Sequence, residues 1–327
     1  MAHSSLANAK KNKKDEFYTQ LSDIEKELKY YKKHFKGKII YCNCDDPRVS
    51  NFFHYFSYNF EYLGLKKLIA TCYKNQERDL FSQNICEKAI YLEYNGDIHN
   101  DKIPNINEIK VNYLKGDGDF RNKESIELLK QADIVVTNPP FSLFREYISQ
   151  LIQYNKKFII IGNQNNITYK DISNLIKDNK LWVGNNSGDM EFKVPSYYTP
   201  RATRYREDAQ GQKWRSFGNI CWFTNCDIEK RHEDLVLYKT YKNNEKDYPQ
   251  YDNYDAININ KTKDIPLDYE GKMGVPITFI NKYNPEQFEV LGIDRYLEDN
   301  PNYGRRFTIN GKEIYARIVV KNKKILK

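Results

Sequence analysis

Residues 134–144 read IVVTNPPFSLF, and the first four decide the local structure: Ile134, Val135, Val136 and Thr137 are β-prone with no apolar-polar alternation, the pattern of a strand buried on both faces. Such a strand belongs in a parallel sheet covered by helices. It stops at Asn138, and the prolines at 139 and 140 stiffen the chain where the strand ends. The Asn138 amide oxygen and the Pro139 carbonyl are then two acceptors on a rigid turn, and Phe141 offers a face to a planar ring. Two acceptors fixed in this way grip an exocyclic amino group through both of its hydrogens and turn the nitrogen lone pair toward an electrophile. The plainer alternative is a strand closed by a Pro-Pro turn.

The neighbouring segments supply the rest of a sheet. Residues 15–35 place Leu21, Ile24, Leu28, Tyr31 and Phe35 at steps of three and four, which predicts an amphipathic helix. A strand over 38–44 follows, then a turn at Asp45, Asp46 and Pro47, with Pro47 suited to the first turn of a helix that exits at Gly64. Residues 67–73 read as a second strand, 89–94 as one arm of a hairpin turning at Asn95 and Gly96, and 109–114 as a third core strand. After a helix over 123–132 and the strand at 133–137, Ser142 is placed to cap a helix carrying Leu143, Phe144, Tyr147 and Leu151 on one face. Residues 158–161 form a fifth strand, and Thr168 and Asp171 have capping-box spacing ahead of Ile172, Leu175 and Ile176. Strands alternating with helices imply an α/β fold with a doubly wound, mostly parallel sheet. From about residue 185 the alternation gives way to short β-like runs at 220–224 and 275–280, so the expected division is 1–184 and an irregular 185–327.

Composition narrows the class. At 327 residues, 40% hydrophobic and 14% aromatic, the chain has the material for one large core or two smaller ones. The net charge of +8 is concentrated at the ends: residues 1–40 carry +5 and residues 302–327 carry +7, leaving −4 between them. Basic ends suit a polyanion held at its edges, although basic tails are also commonly just solvated. There is no run of some 20 apolar residues and no apolar signal-peptide core, which predicts a soluble cytoplasmic protein that binds no membrane. The six cysteines include no Cys-x-x-Cys pair, so no zinc site is expected, and buried reduced thiols are the natural reading.

In an open parallel sheet ligands bind at the carboxyl ends of the strands. Three such ends are unusual here: Cys44, Asp45 and Asp46; Asp117 and Asp119 with Phe120; and the turn at 138–141. Carboxylates in these places accept hydrogen bonds from the hydroxyl or amino groups of a nucleoside, and Phe120 is available to its ring. For any one turn the alternative is that Asp, Gly and Asn merely end a strand.

The Asn-Pro-Pro-Phe tetrapeptide resembles the signature of amino-methyltransferases, and the chain as a whole resembles the EcoRI-type adenine-specific DNA methyltransferase family. The likeness runs through 15–20 (DEFYTQ), 41–52 (YCNCDDPRVSNF), 65–70 (LKKLIA), 116–121 (GDGDFR), 133–144, 251–257 (YDNYDAI), 274–279 (GVPITF) and 284–288 (NPEQF). It implies a class I, Rossmann-like enzyme that uses S-adenosylmethionine to methylate the 6-amino group of adenine in a specific duplex DNA sequence, as the modification partner of a restriction endonuclease. Carried over by position, Asn138, Pro139, Pro140 and Phe141 hold the target adenine, and Asp117, Asp119 and Phe120 the adenine end of the cofactor. Cys44, Asp45 and Asp46 take its methionine or ribose end, and Tyr18 and Thr19 form the N-terminal motif that touches it. Residues 185–327 become the target-recognition region, and a monomer is implied. One departure stands out: related folds usually carry a glycine-rich loop after the first strand and an acid after the second, where this chain has Cys44 and its neighbours, and Thr71 and Cys72.

An adenine inside a duplex must be flipped out to be methylated, at a cost of a few kcal/mol that stacking on Phe141 offsets in part. Arg201, Arg204, Arg206, Lys213 and Arg215 cluster around Tyr205 and Trp214 and are candidates for reading bases, with a solvated polar loop as the alternative. The basic ends, Lys10, Lys11, Lys13 and Lys14 and the run from 321 to 327, suit phosphates. Two other readings stay open on the residues themselves: methylation of another amino or amide nitrogen, such as an rRNA base or a protein glutamine, and a catalytically silent DNA-binding relative.

Overall fold

The computed structural model describes residues 17–44, 47, 50–72, 89–96, 104, 109–196 and 198–325, and it divides into two compact units. The first comprises residues 1–163 and 186–226, the second residues 164–185 and 227–327.

The predicted first helix is present in two pieces, α1 (Leu21–Leu28) and α2 (Lys32–Phe35), joined by a 3-10 turn over Lys29–Tyr31. Ile24, Leu28, Tyr31 and Phe35 are fully buried as their spacing requires, whereas Leu21 is exposed. Glu27 is also fully buried, accepting hydrogen bonds from Tyr31 Oη at 2.8 Å and from the Asn186 backbone N–H at 2.8 Å. A buried carboxylate needs such partners, and these tie α1 to the far end of the unit's sequence.

β1 (Ile39–Cys42) leads to α3 (Asn51–Tyr58) and α4 (Phe60–Leu63), which ends at Gly64 in the left-handed conformation (φ 64°) as expected of a helix exit. Pro47 lies ahead of the helix rather than in its first turn. β2 (Lys67–Thr71), β3 (Ile90–Tyr94), β4 (Lys110–Tyr113), α5 (Lys123–Gln131), β5 (Ile134–Thr137), α6 (Phe144–Gln153) and β6 (Lys157–Asn163) follow. β2, β1, β5 and β6 form a parallel block, with Tyr41 set against both Ile69 and Val135. Outside it β3 and β4 run antiparallel beyond β2, and β9 (Lys213–Thr224) runs antiparallel to β6. β7 (Trp182–Val194) lies beyond β9, and β8 (Tyr205–Glu207) pairs with β9, which makes nine described strands in a mixed sheet with a parallel centre. Val135 and Val136 are fully buried there, each contributing about 1.5–3 kcal/mol.

Several expectations change. The strand at 109–114 is not in the core: β4 is the edge, with Val111 and Tyr113 more than half exposed. Ser142 does not cap α6. It lies in a 3-10 turn over Phe141–Leu143, and the helix begins at Phe144. Thr168 forms no capping box either, because its hydroxyl donates back to Asn165 O, and α7 (Lys170–Lys177) starts without a side-chain cap. The boundary expected at 184/185 is displaced as well: β9, inside the supposedly irregular region, pairs directly with β6 of the first unit's sheet, and residues 164–185 belong to the second unit, where α7 packs on β12 (Phe288–Ile293).

The second unit has its own four-stranded sheet, in the order β10 (Ile257–Asn258), β11 (Met273–Pro276), β15 (Arg317–Asn322), β12. Its core includes Val275, Phe279, Phe288 and Val320, and a two-stranded ribbon of β13 (Thr308–Ile309) and β14 (Lys312–Glu313) adjoins a cluster of Tyr251, Tyr254 and Phe307. The basic C-terminal run is largely built into this unit: Lys323 Nζ bonds Pro285 O, and Lys324 Nζ both oxygens of Asp234, each at 2.8 Å.

Candidate active site

From β1 the chain passes outward to β2, then returns to enter β5 on the other side of β1, so the sheet's switch point lies between β1 and β5. Both strands end in residues that lock together there. Thr137 Oγ1 donates to the Asn43 carbonyl, and Tyr147 Oη, from α6, donates to Asn43 Oδ1. Burial holds the Tyr147 phenol well above its ordinary pKa, so it remains a proton donor. Cys44 follows with φ 82°, the left-handed backbone that a glycine ordinarily takes. That is how this chain turns after β1 without the glycine-rich loop. Asp45 and Asp46 lie outside the described residues.

Asn138 sits just past β5 and is 6% exposed. Its Nδ2 donates to the Phe17 carbonyl at 2.6 Å, while its Oδ1, buried, has no hydrogen-bond partner among the described residues. An orphaned buried acceptor of this kind costs about 1–3 kcal/mol. Leu143 N–H closes on the Pro140 carbonyl at 2.9 Å, which shapes the 3-10 turn and sets Phe141 half-buried beside the amide.

Around Phe141 stand aromatic rings that sequence reasoning did not assign. Phe17 lies 5.4 Å from it, Phe217 5.9 Å and Phe192 6.2 Å between centroids, and Phe17 and Phe217 meet edge-to-face at 4.8 Å. Phe192 belongs to β7 and Phe217 to β9, so the irregular-looking stretch after 185 supplies two rings of this cluster. The signal for Phe192 was present in the alternation of Met190, Phe192 and Val194, all buried; nothing in the residues around Phe217 marked it. Tyr18 forms an antiparallel bridge with Lys193. Thr19 is 2% exposed, and its hydroxyl has no partner among the described residues.

The loop after β4 closes against β2. Gly118 has φ 79°, and a Cβ there would meet the Cys72 carbonyl oxygen at 2.2 Å, so only glycine fits. Asp117 accepts from the Asp119 N–H at 3.0 Å and from Asn122 Nδ2. Asp119 holds Arg121 through Nε at 2.8 Å and Nη2 at 2.6 Å. Phe120 is buried, with its ring edge-to-face on Tyr147 at 5.0 Å and its carbonyl accepting Gln150 Nε2 at 3.0 Å. The Arg121 guanidinium lies 5.3 Å from the centre of the same ring. α6 thereby contacts both the Asp117–Asp119 loop and the strand-end cluster at Asn43.

Against known proteins, the chain matches the family described as adenine-specific methyltransferase EcoRI over residues 5–323. The chain belongs to that family. This methyltransferase is 54% identical over 324 residues to the type II methyltransferase M.EcoRI of Escherichia coli, a match covering 98% of this chain and 97% of that protein. It is 42% identical over 335 residues to the type II methyltransferase M.MgeORF184P of Mycoplasma genitalium (97% and 98% covered). It is 37% identical over 332 residues to the type II methyltransferase M.MpnI of Mycoplasma pneumoniae (96% and 97%). No solved structure matches.

Most of the cations expected to read bases have partners within this methyltransferase. Arg204 pairs with Asp189 at 3.0 Å and Arg206 with both oxygens of Glu191 at 2.9 and 2.6 Å, its guanidinium lying 4.8 Å from the Trp214 ring. Lys213 Nζ donates to Tyr198 O at 3.2 Å and Arg215 Nη1 to Arg204 O at 2.8 Å. Arg201 is exposed. Among the described residues no group of three or more His, Cys, Asp or Glu side chains is placed to hold a metal ion, and no helix is long and apolar enough to cross a membrane.

Proposed function

We propose that this adenine-specific methyltransferase transfers a methyl group from S-adenosylmethionine to the 6-amino nitrogen of an adenine flipped out of duplex DNA, as the modification half of a restriction pair. The observation that carries this reading is the orphaned Asn138 Oδ1 next to Phe141. An adenine amino group brings the hydrogen that this acceptor lacks, and the Pro139 carbonyl takes the second. Held by both, the nitrogen keeps its lone pair free for attack. The half-buried Phe141 ring offers the base a face to stack on, and stacking of this kind is worth about 1–3 kcal/mol, comparable to the cost of unstacking it. When bound, the cofactor supplies an electrophilic methyl group on a sulfonium. The enzyme then contributes mainly position: the lone pair of the amino nitrogen would form the new bond to the methyl carbon as the carbon–sulfur bond breaks and its electron pair leaves on a neutral thioether, and the nitrogen's proton would pass to water, because Asn138 and Pro139 are acceptors without useful basicity.

The fold belongs, in this reading, to the class I Rossmann-like methyltransferases, and the residues present fit the cofactor. The partnerless Thr19 hydroxyl accommodates a polar end, together with Tyr18, Cys44, Asp45 and Asp46. Asp117, Asp119 and Phe120 take the adenine end, with Arg121, 46% exposed, moving off the Phe120 ring to admit it. Target recognition falls to the second unit together with strands β7 to β9, and the enzyme acts as a cytoplasmic monomer. Incubation with methyl-labelled cofactor and duplex DNA, RNA or protein tests the substrate class, and label in RNA or protein alone overturns it. Methylation-aware sequencing of DNA from a host expressing the chain then gives the site and the base.

A further inference from the structure

The strand-like segment at 17–19 does more than contribute a ring to the aromatic cluster. A carbonyl oxygen bonds only a donor, so the 2.6 Å contact from Asn138 Nδ2 to Phe17 O decides which end of the side-chain amide is which. The nitrogen faces the segment, and the oxygen is left as the end without a partner. The segment is itself fastened on both sides. Tyr18 N–H donates to Lys193 O at 2.9 Å and Lys193 N–H to Tyr18 O at 3.1 Å, while Asn51 Nδ2, at the start of α3, donates to Thr19 O at 2.7 Å. The Phe17 ring is wedged among Phe141, Phe192 and Phe217.

We infer that residues 17–19 are a positioning strap that fixes the orientation of the Asn138 amide, so that an acceptor and not a donor meets the 6-position of the target base. A primary amide has nearly the same shape when turned over, and turning it exchanges oxygen for nitrogen. With its –NH2 outward, Asn138 meets an adenine amino group donor to donor, whereas a 6-oxo base becomes a good partner. The strap is therefore a specificity device as well as a wall, and it discriminates amino from oxo at the 6-position. This inference rests on the function proposed above. Asn51 is a positioning residue in this scheme: it is hydrogen-bonded to the strap and acts on the base only through it.

The test uses the full chain carrying Asn51→Ala and Asn51→Asp, the second placing an acceptor against the Thr19 carbonyl. Once the methylation site is mapped, affinities of cofactor-saturated enzyme are measured for two duplexes, with adenine or hypoxanthine at the target position. Losing one hydrogen bond that holds the strap is expected to narrow the adenine-over-hypoxanthine preference about 2- to 10-fold in Asn51→Ala, and further in Asn51→Asp, with near-wild-type melting. Parallel loss of affinity for both duplexes, or an unchanged ratio, overturns the strap's role. A wild-type enzyme that neither methylates DNA nor prefers the adenine duplex overturns the proposed function, and the strap's role with it.

Discussion

Two turns at the carboxyl end of one sheet treat their polar atoms in opposite ways. At 116–120 the carboxylates are bonded within the turn and its immediate neighbours: Asp117 to the Asp119 N–H and Asn122, Asp119 to the backbone and side chain of Arg121. At 138–141 the one side chain that ought to be satisfied is not, because Asn138 Oδ1 is buried without a partner. A turn bonded to itself fixes a backbone path. A turn that buries an empty acceptor is, on the function proposed above, arranged for a donor that arrives from outside, and the fold tolerates a cost of about 1–3 kcal/mol in keeping it.

The sharpest way to break this contrast is Asn138→Ala, which removes the acceptor and leaves the prolines. Loss of a preorganised hydrogen-bonding group is expected to lower kcat about 10²- to 10³-fold, with cofactor affinity by calorimetry unchanged. Wild-type turnover would make the orphaned oxygen an accident of packing. Next in size is Phe141→Ala, which removes the half-buried ring offered to the base and is expected to forfeit about 1–3 kcal/mol of stacking, a 5- to 150-fold loss in kcat/KM for DNA. Flipping, followed through 2-aminopurine fluorescence at the target position, is expected to weaken in step. Gly118→Ala acts on the other turn: with φ 79° and the Cys72 carbonyl 2.2 Å from the new Cβ, the loop must move. Cofactor affinity is expected to fall about tenfold, in line with the 1–2 kcal/mol of a left-handed alanine, while DNA affinity is retained.

How much of this was legible in the sequence depends on how local the determinant is. The parallel block was readable because strands such as Ile134–Thr137 are apolar on both faces, and that pattern has few other uses. The position of β4 was not, since Lys110–Tyr113 has β-prone residues whether it lies at the edge or in the centre, and only its neighbours decide. Asn138 and Phe141 stood out because proline and asparagine together after a buried strand are rare by chance. Phe17, Phe192 and Phe217 were missed because they come from three separate segments and meet only in space. The partners of the cations at 204–215 were hidden for the same reason: Asp189 and Glu191, which pair with Arg204 and Arg206, are 15 residues away and belong to β7.

The smallest expected effect separates the two turns by charge. Glu124, at the start of α5, accepts the Gly116 N–H at 2.7 Å and the Lys115 N–H at 3.1 Å, and these bonds hold its carboxyl below the usual glutamate range. A depressed folded-state pKa means that the stabilisation is complete above the unfolded value, near 4.5, and is lost as pH falls through the folded value below it. The Asn138 turn has no titratable member and gains or loses nothing in that window. Acidification from pH 5 to 3 is thus expected to loosen the loop that carries Asp117 and Asp119 before it affects the turn at 138–141. The protection factor of the Gly116 amide in hydrogen exchange, compared between wild type and Glu124→Gln, reads this directly: the variant should be less protected at pH 5, and its protection should no longer change with pH. If Glu124→Gln keeps the wild-type pH profile, the carboxylate is not what closes the first turn, and the contrast between the two rests on the Asp117 and Asp119 bonds alone.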